Sequence, residues 1–214
     1  MACCNPQGYR AVFGERTAQR EARRYRRRGL PGSAQWLRQS LTAGGIDGRT
    51  LLEVGGGVGG LQIELIEAGA ASAVNVELID TYEPAARALL AERSLADRVT
   101  RVVADFAAAG GKATDADIVI LHRVLCCYPD APALTAAACA RARDRIAVTL
   151  PRRSWWIRLG VWGQNAFFRV RRTDFRVYVH DPNEIVDIAG RHRFRPGART
   201  RGAVWESLVL EAGR

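Results

Sequence analysis

The stretch from Leu51 to Gly60 constrains the fold of this 214-residue chain more than any other segment. An apolar run ends at Glu53 and Val54, a loop rich in glycine follows, and an amphipathic run begins at Leu61. This order predicts a strand, a tight turn and a helix, the first unit of an open parallel α/β sheet. Glycines at such a turn admit positive φ and let a ligand approach the backbone closely. Because sheets of this class bind nucleotides beyond the carboxyl ends of their strands, we expect a nucleotide site here.

The carboxyl group before the loop distinguishes between two kinds of nucleotide. Gly55, Gly57 and Gly60 fit a dinucleotide fingerprint. Glu53 argues against a pyrophosphate, which it would repel, and in favour of an ammonium group, from which it would accept hydrogen bonds. S-adenosylmethionine carries an ammonium and a sulfonium and no phosphate. The run from Glu53 to Gly59 resembles motif I of the class I methyltransferases, hydrophobic-(D/E)-x-G-x-G-x-G. The resemblance implies this cofactor, with S-adenosylhomocysteine as its product.

Three later strand ends agree with this interpretation. Glu77 and its neighbour Leu78 end a β-branched run, about twenty residues after the loop, where a Rossmann-like unit places the carboxylate for ribose hydroxyls. A solvated strand terminus is the alternative for Glu77. At the next strand end, the resemblance implies that Asp105 binds the adenine amino group and that Phe106 packs on the ring. A fourth strand runs into His122. The candidate cofactor-binding residues are Glu53, Gly55, Gly57, Gly59, Glu77, Leu78, Asp105, Phe106 and His122.

The resemblance implies an α/β, Rossmann-like class I methyltransferase fold. We expect a seven-stranded, mostly parallel sheet with an antiparallel last strand and helices on both faces. The chain divides into an amino-terminal helical cap or lid, residues 1–45, and a domain that binds S-adenosylmethionine, residues 46–214. Within the cap, residues 15–28 read as a helix that stops at Gly29, and Ser33 as the N-cap of a second helix. An aromatic and basic insertion at 152–176 is expected to cover the substrate site.

The carboxyl half carries a more specific resemblance. Its segments are Cys127 to Asp130, Ile146 to Trp156 and Phe175 to Asp187, and the segment from Tyr9 to Gly14 precedes them. Together they are similar to the magnesium-protoporphyrin O-methyltransferase family. That family has a tyrosine–proline pair after the fourth strand and a turn with proline, lysine, threonine and an aromatic residue after the fifth. It also has an aromatic-x-His segment before the last helix. This chain departs from that pattern in its Cys-Cys pairs and in Arg152-Arg153, where Lys-Thr is usual. The resemblance therefore implies methyl transfer more firmly than any particular acceptor.

Several side chains near the expected acceptor end have two interpretations each. His122 has the pKa range of a general base, or it stacks near the adenosine or caps a strand end. Tyr128 orients the acceptor or forms the wall of the site. His180 makes a structural hydrogen bond in preference to a catalytic contact. Arg152 clamps an anionic acceptor or is solvated. The catalytic candidates are His122 and Tyr128, and the substrate candidates are Tyr9, Phe13, Arg152, Trp155, Trp156 and His180.

Charge and composition leave three classes of function in view. The net charge is +10 and Lys112 is the single lysine, so the excess is arginine, which is typical of a GC-rich genome. A small-molecule acceptor, anionic or aromatic and methylated on O, S or N, is favoured by the aromatic insertion. An RNA methyltransferase is the alternative, because arginines crowd residues 16–28. A non-catalytic nucleotide-binding module is the third. Without an apolar run long enough to span a membrane and without a signal pattern, we expect a cytoplasmic protein.

Cysteine occurs as two adjacent pairs, Cys3-Cys4 and Cys126-Cys127, and as Cys139. The second pair follows the fourth strand, and the amino-terminal segment is expected to cover the same end of the sheet. Four thiols there would hold a thiophilic metal or present a thiol-bound metal or metalloid as the methyl acceptor. The other interpretation is that these cysteines pack as small buried hydrophobes.

Overall fold

The computed structural model describes residues 6–108 and 114–213, and its sheet has the order β3-β2-β1-β4-β5-β7-β6. The strands are β1 Thr50–Val54, β2 Ser72–Glu77, β3 Val99–Val103, β4 Ala116–His122, β5 Ala142–Pro151, β6 Phe194–Arg201 and β7 Trp205–Ala212. The helices are α1 Pro6–Val12, α2 Glu15–Arg28, α3 Gly32–Ala43, α4 Gly60–Glu67, α5 Glu83–Glu92, α6 Ala131–Arg141, α7 Trp155–Val170 and α8 Pro182–Arg191. The pairings among β1 to β5 are parallel, whereas β7 runs antiparallel to both β5 and β6. The predicted seven-stranded sheet with an antiparallel last strand is confirmed.

Helices cover both faces of the sheet, as predicted. The β4 side chains alternate between two hydrophobic cores: Ile118 and Ile120 pack into one, Val119 and Leu121 into the other. The first core includes buried residues of α2 to α5, and the second includes buried residues of α6 and α8. Because successive side chains of a strand point to opposite faces, this alternation places the carboxyl ends of β1, β2 and β4 between two packed layers. That placement fixes the position of the site described below.

The amino-terminal helices follow the predicted order but not the predicted caps. Helix α2 ends at Arg28, and Gly29 takes positive φ, 64°, as expected of a helix stop. The prediction that Ser33 is an N-cap is wrong, because α3 begins after Pro31 and no side chain caps it. Leu37 and Leu41 of α3 are fully buried in the core that α4 also contributes to. Helix α3 therefore covers the sheet, and we restrict the lid proposal to α1 and the turn that follows it.

Helices long and apolar enough to cross a bilayer do not occur in the parts of the chain that the structure describes.

Candidate active site

A cavity of about 560 Å³ opens at the carboxyl ends of β1, β2 and β4. Its volume is in the range of small-molecule and cofactor sites. The predicted residues that line it are Tyr9, Phe13, Glu53, Gly55, Gly57, Glu77, Leu78, Asp105, Phe106, His122, Cys126, Cys127 and Tyr128. Most of the residues predicted from four separate strand ends therefore meet around one space.

The glycine loop has the backbone that its sequence predicts. Gly55, Gly57 and Gly59 all adopt positive φ, at 65°, 60° and 81°, a conformation that costs other residues steric strain. Gly59 does not line the cavity but forms the N-cap of α4. A Cβ on Gly56 would lie 2.6 Å from Glu53 Oε2, so the loop passes directly over that carboxyl group.

Glu53 is the most deeply buried acidic group of the site. It is 1% exposed, and the backbone N–H of Gln62 favours its charged form. Within the described residues, Oε2 has no hydrogen-bond partner. Burial, reinforced by the nearby Glu77, raises the pKa of Glu53 to about 7. An unpaired buried carboxyl oxygen is costly, and a cationic ligand in the cavity that Glu53 borders would supply the missing partner.

Glu77 holds the loop from the neighbouring strand. The backbone N–H of Gly57 donates to its carboxylate, and Arg101 Nη2 donates to the Gly57 carbonyl at 3.0 Å. Burial raises the pKa of Glu77 to about 7, although the Gly57 hydrogen bond and Arg101 act in the opposite direction. One oxygen of this carboxylate is thus engaged by the loop, and the side chain borders the cavity at the position predicted for a ribose contact.

Asp105 and Tyr128 form a hydrogen-bonded pair on the cavity wall. Tyr128 Oη donates to Asp105 Oδ1 at 3.0 Å, and the backbone N–H groups of Ala107 and Ala108 donate to the same oxygen. Asp105 Oδ2 is buried and has no partner among the described residues. Phe106, next in the chain, is 8% exposed and lines the same wall. An acceptor oxygen beside an aromatic ring suits an adenine amino group, and the adenine contact stays a prediction.

His122 is held at the end of β4 by a helix that the sequence did not connect to it. Its Nε2 lies 3.1 Å from Ser33 Oγ in the first turn of α3. Burial, together with the charge of Arg123, lowers the pKa of His122 to about 3. The imidazole is therefore neutral at physiological pH and a weak base, which argues against its predicted role as a general base.

Four charged or polar residues of the site escaped the sequence interpretation. Arg123 has φ of 60°, donates to Ser33 Oγ at 2.9 Å and stacks over the Trp205 ring at 4.4 Å. Glu21 and Arg24 of α2 also border the cavity, where Glu21 accepts a hydrogen bond from Tyr82 Oη at 3.1 Å. Of these four, only Arg123 has a position in the sequence, directly after a strand end, that indicates a site residue. Glu21, Arg24 and Ser33 lie in helices whose orientation depends on tertiary packing.

One wall of the cavity is formed by aromatic residues of α1 and by Phe175. Tyr9 and Phe13 each make an edge-to-face contact with Phe175, at 5.2 Å and 5.3 Å between ring centroids. The Tyr9 hydroxyl donates to the carbonyl of Cys127, which joins α1 to the loop after β4. Tyr9 and Phe13 therefore line the cavity together, and their contribution to a substrate site stays a prediction.

Other substrate candidates lie outside the cavity. Arg152 donates to the Gly202 carbonyl at 3.2 Å, and Trp155 and Trp156 are 77% and 44% exposed. His180 Nε2 donates to the Tyr128 carbonyl at 3.0 Å, a structural hydrogen bond. None of these four lines the cavity, whereas Gln164 of α7 does. The insertion was expected to cover the site with its aromatic residues, and in the structure its tryptophans face solvent.

The cysteine pair after β4 borders the cavity, with Cys126 Sγ 3.6 Å from Cys127 Sγ. Cys3 and Cys4 lie outside the described residues, and Cys139 is buried in the second core. Among residues 6–108 and 114–213, no group of three or more His, Cys, Asp or Glu side chains is arranged to hold a metal.

Comparison with solved structures places this geometry in a known fold. Magnesium protoporphyrin IX methyltransferase from Synechocystis, solved with bound SAH, superimposes with a TM-score of 0.70 over 96% of this chain and 93% of its own, at 19% identity. An O-methyltransferase family protein from Burkholderia thailandensis gives a TM-score of 0.73 over 98% of this chain and 64% of its own, at 14% identity.

The chain has the class I methyltransferase fold. A putative RNA methyltransferase from Pyrococcus horikoshii shares it, with a TM-score of 0.61 over 85% of each chain at 16% identity. No protein-family model and no curated protein matches the sequence. At these identities the similarity establishes the fold alone.

Proposed function

We propose that this protein transfers the methyl group of S-adenosylmethionine to a small acceptor. The observation that carries the proposal is the buried Oε2 of Glu53, which lies beneath the glycine loop and has no partner in the part of the chain that the structure describes. The next strand ends in Glu77, which accepts a hydrogen bond from the same loop. A ligand with an ammonium group and a ribose satisfies both carboxylates, whereas a pyrophosphate would be repelled by them. The neighbouring structure solved with SAH shares this fold.

The described residues suit this cofactor along its length. Glu53 would accept from the ammonium group, Glu77 from the ribose hydroxyls and Asp105 from the adenine amino group, while Phe106 packs on the ring. The bound cofactor supplies a methyl carbon attached to a positively charged sulfur. The protein holds the acceptor in line with that carbon and excludes water.

The acceptor side favours an anionic, aromatic molecule. Arg24 and Arg123 bring two positive charges to the cavity against the one carboxyl group of the neighbouring Glu21. Tyr9, Phe13 and Phe175 provide an apolar, ring-lined wall. A carboxylate needs no general base, which agrees with the low pKa of His122. Its oxygen would attack the methyl carbon as the carbon–sulfur bond breaks, and the electron pair of that bond would stay on sulfur. We therefore propose an aromatic carboxylate as the acceptor class.

Two experiments test this proposal separately. Calorimetry with S-adenosylhomocysteine should give a micromolar Kd, about −8 kcal/mol; binding of NAD without binding of S-adenosylhomocysteine would overturn the cofactor assignment. Release of S-adenosylhomocysteine should then be measured with aromatic carboxylates, phenols, thiols and porphyrins. Turnover of carboxylates that weakens in Arg123→Gln supports the acceptor class, and exclusive turnover of thiols or phenols contradicts it.

RNA is the second candidate acceptor, because the exposed face of α2 carries Arg16, Arg20, Arg23 and Arg27. Binding of single-stranded RNA that weakens steeply with salt, and methylation of that RNA, would favour this class.

A further inference from the structure

Helix α7 exposes an apolar stripe to solvent. Trp155, Leu159, Trp162 and Val170 are 77%, 59%, 67% and 83% exposed. Their spacings of four, seven and fifteen residues place them on one face of an α-helix. Apolar side chains scattered singly over a surface are ordinary, but a continuous stripe with two tryptophans marks an interaction surface. We call these four residues the α7 stripe.

The opposite face of α7 is fixed to the protein, so the stripe cannot turn inward. Ile157 is buried, and Phe168 contacts Phe175 edge to face at 5.3 Å. The Asn165 side chain donates to the Val177 carbonyl at 2.8 Å and accepts from the Val177 N–H at 2.9 Å. These contacts lie along the length of the helix and determine which side faces out.

The charge around the α7 stripe is positive. Residues 152–176 contain one acidic residue, Asp174, and the arginines Arg152, Arg153, Arg158, Arg169, Arg171, Arg172 and Arg176, a net charge of 7 − 1 = +6. Arg158 and Arg169 are exposed at one border of the stripe. A second copy of this helix would bring like charges together, which opposes pairing between copies. An anionic surface would complement the stripe and its border.

We propose that the α7 stripe docks on the surface of a phospholipid bilayer that contains anionic headgroups. Tryptophan is favoured at the boundary between headgroups and acyl chains, and arginine extends its guanidinium to phosphate while its stem covers apolar surface. Helix α7 would then lie in the plane of the interface, with its apolar side inserted. Gln164, on the inner side of the same helix, lines the cavity, so the cavity would lie next to the bilayer. The proposal does not depend on the reaction that the cavity catalyses.

Vesicle co-sedimentation tests this surface directly. The full chain should bind vesicles of phosphatidylglycerol and phosphatidylcholine at least tenfold more tightly than vesicles of phosphatidylcholine alone, at about 0.1 M salt. Replacing Trp155 and Trp162 by Ser should weaken binding at least tenfold. Val103→Ser with Val204→Ser, at two exposed apolar positions elsewhere, is the matched control and should bind like the parent. Arg158→Gln with Arg169→Gln should weaken binding more than Arg16→Gln with Arg20→Gln on α2.

The same preparations distinguish the competing occupants. No binding to anionic vesicles overturns the proposal, as does binding that the Trp155 and Trp162 substitutions leave unchanged. A dimer in solution that those substitutions dissociate, with no vesicle binding, would assign the stripe to contact between copies and would also overturn it.

Discussion

Ser33 Oγ lies 3.1 Å from His122 Nε2 and accepts a hydrogen bond from Arg123, so the first turn of α3 is bonded to the end of β4. This contact connects a helix that precedes the nucleotide-binding half to the strand end where acceptors are expected. The two side chains that meet Ser33 differ in charge, because the Arg123 guanidinium is charged and the His122 imidazole is neutral.

The protonation state of His122 can be measured directly. Because burial and Arg123 lower its pKa to about 3, the ring should stay neutral from pH 5 to pH 8. Its ring nitrogen signals, assigned by their loss in His122→Asn, should show no titration in that range by NMR. A midpoint near neutrality would restore the general-base interpretation. His122→Asn should change turnover only a few-fold, with no change in the shape of the pH profile.

Cofactor affinity should rise with pH through the range in which Glu53 and Glu77 ionise. Both carboxyl groups have a pKa of about 7 in the free protein because they are buried. Hydrogen-bond donors on the ligand favour the charged form, so binding releases protons. From pH 6 to pH 7.5 the Kd for S-adenosylhomocysteine should fall by roughly five- to tenfold for each group that ionises fully. Calorimetry across this range should show a weaker dependence in Glu77→Gln, and a pH-independent Kd in the parent would contradict the assignment.

The sign for stability is the opposite. A carboxyl group whose folded pKa is raised keeps a proton that the unfolded chain releases, so its contribution to ligand-free stability is lost as pH rises from about 4.5 to about 7. The Tm of the parent should fall relative to that of Glu77→Gln over this interval in thermal unfolding.

The close approach of the glycine loop to its ligand can be tested at Gly57. A Cβ there would meet the Tyr82 ring at 3.2 Å and Glu21 Oε2 at 3.3 Å, on the cavity wall. Gly57→Ala should weaken S-adenosylhomocysteine binding at least tenfold, about 1.4 kcal/mol. Gly45→Ala is the matched control, since Gly45 also has positive φ, 86°, with open space around it. If both variants bind equally well, the loop does not contact the cofactor.

Helix α1 is expected to retard release of the cofactor. Tyr9 and Phe13 line the cavity, and the Tyr9 hydroxyl bonds the loop after β4. Deletion of residues 1–13 removes this wall and leaves α2 and α3, which contribute to the core. Because a segment that closes over a ligand slows its release, the dissociation rate of S-adenosylhomocysteine should rise about tenfold in stopped-flow measurements. Tyr9→Phe should give a smaller increase, and an unchanged rate after deletion would exclude a lid.

The cysteine pair should be accessible only from the cavity. The hydrogen bond between the Cys126 and Cys127 thiols lowers the pKa of Cys126, and burial raises the pKa of Cys139 to about 12. Alkylation followed by mass spectrometry should modify Cys126 before Cys127 and Cys139, and S-adenosylhomocysteine should protect it. Elemental analysis of protein purified without chelator tests the metal hypothesis, with Cys126→Ser and Cys127→Ser as controls. A stoichiometric metal or metalloid lost in both variants would support a thiol-bound acceptor.

The parts of the site that the sequence predicted are those fixed by a single strand and its loop. Glu53, Glu77 and Asp105 each follow an apolar run that must be a strand, and parallel strands bring their carboxyl ends together. Ser33 was misassigned because a serine near a helix start reads as a cap, whereas here tertiary packing turns its hydroxyl toward His122. The tryptophans of α7 were misplaced for a related reason. Apolar residues occur on both faces of that helix, so periodicity alone does not determine which face is inward.

Helix α3 packs against β7, the last strand of the sheet. Leu37 and Leu41 are made early on the ribosome, whereas Val209, the β7 residue that lies in the same core, is made long after them. Trp205, which supports Arg123 at the cavity, arrives with the same strand. The nascent chain must keep the part of α3 that β7 covers from aggregating until β7 has been made. A ribosome-bound chain truncated before Trp205 should consequently be protease-sensitive at α3, even though its glycine loop has already been made.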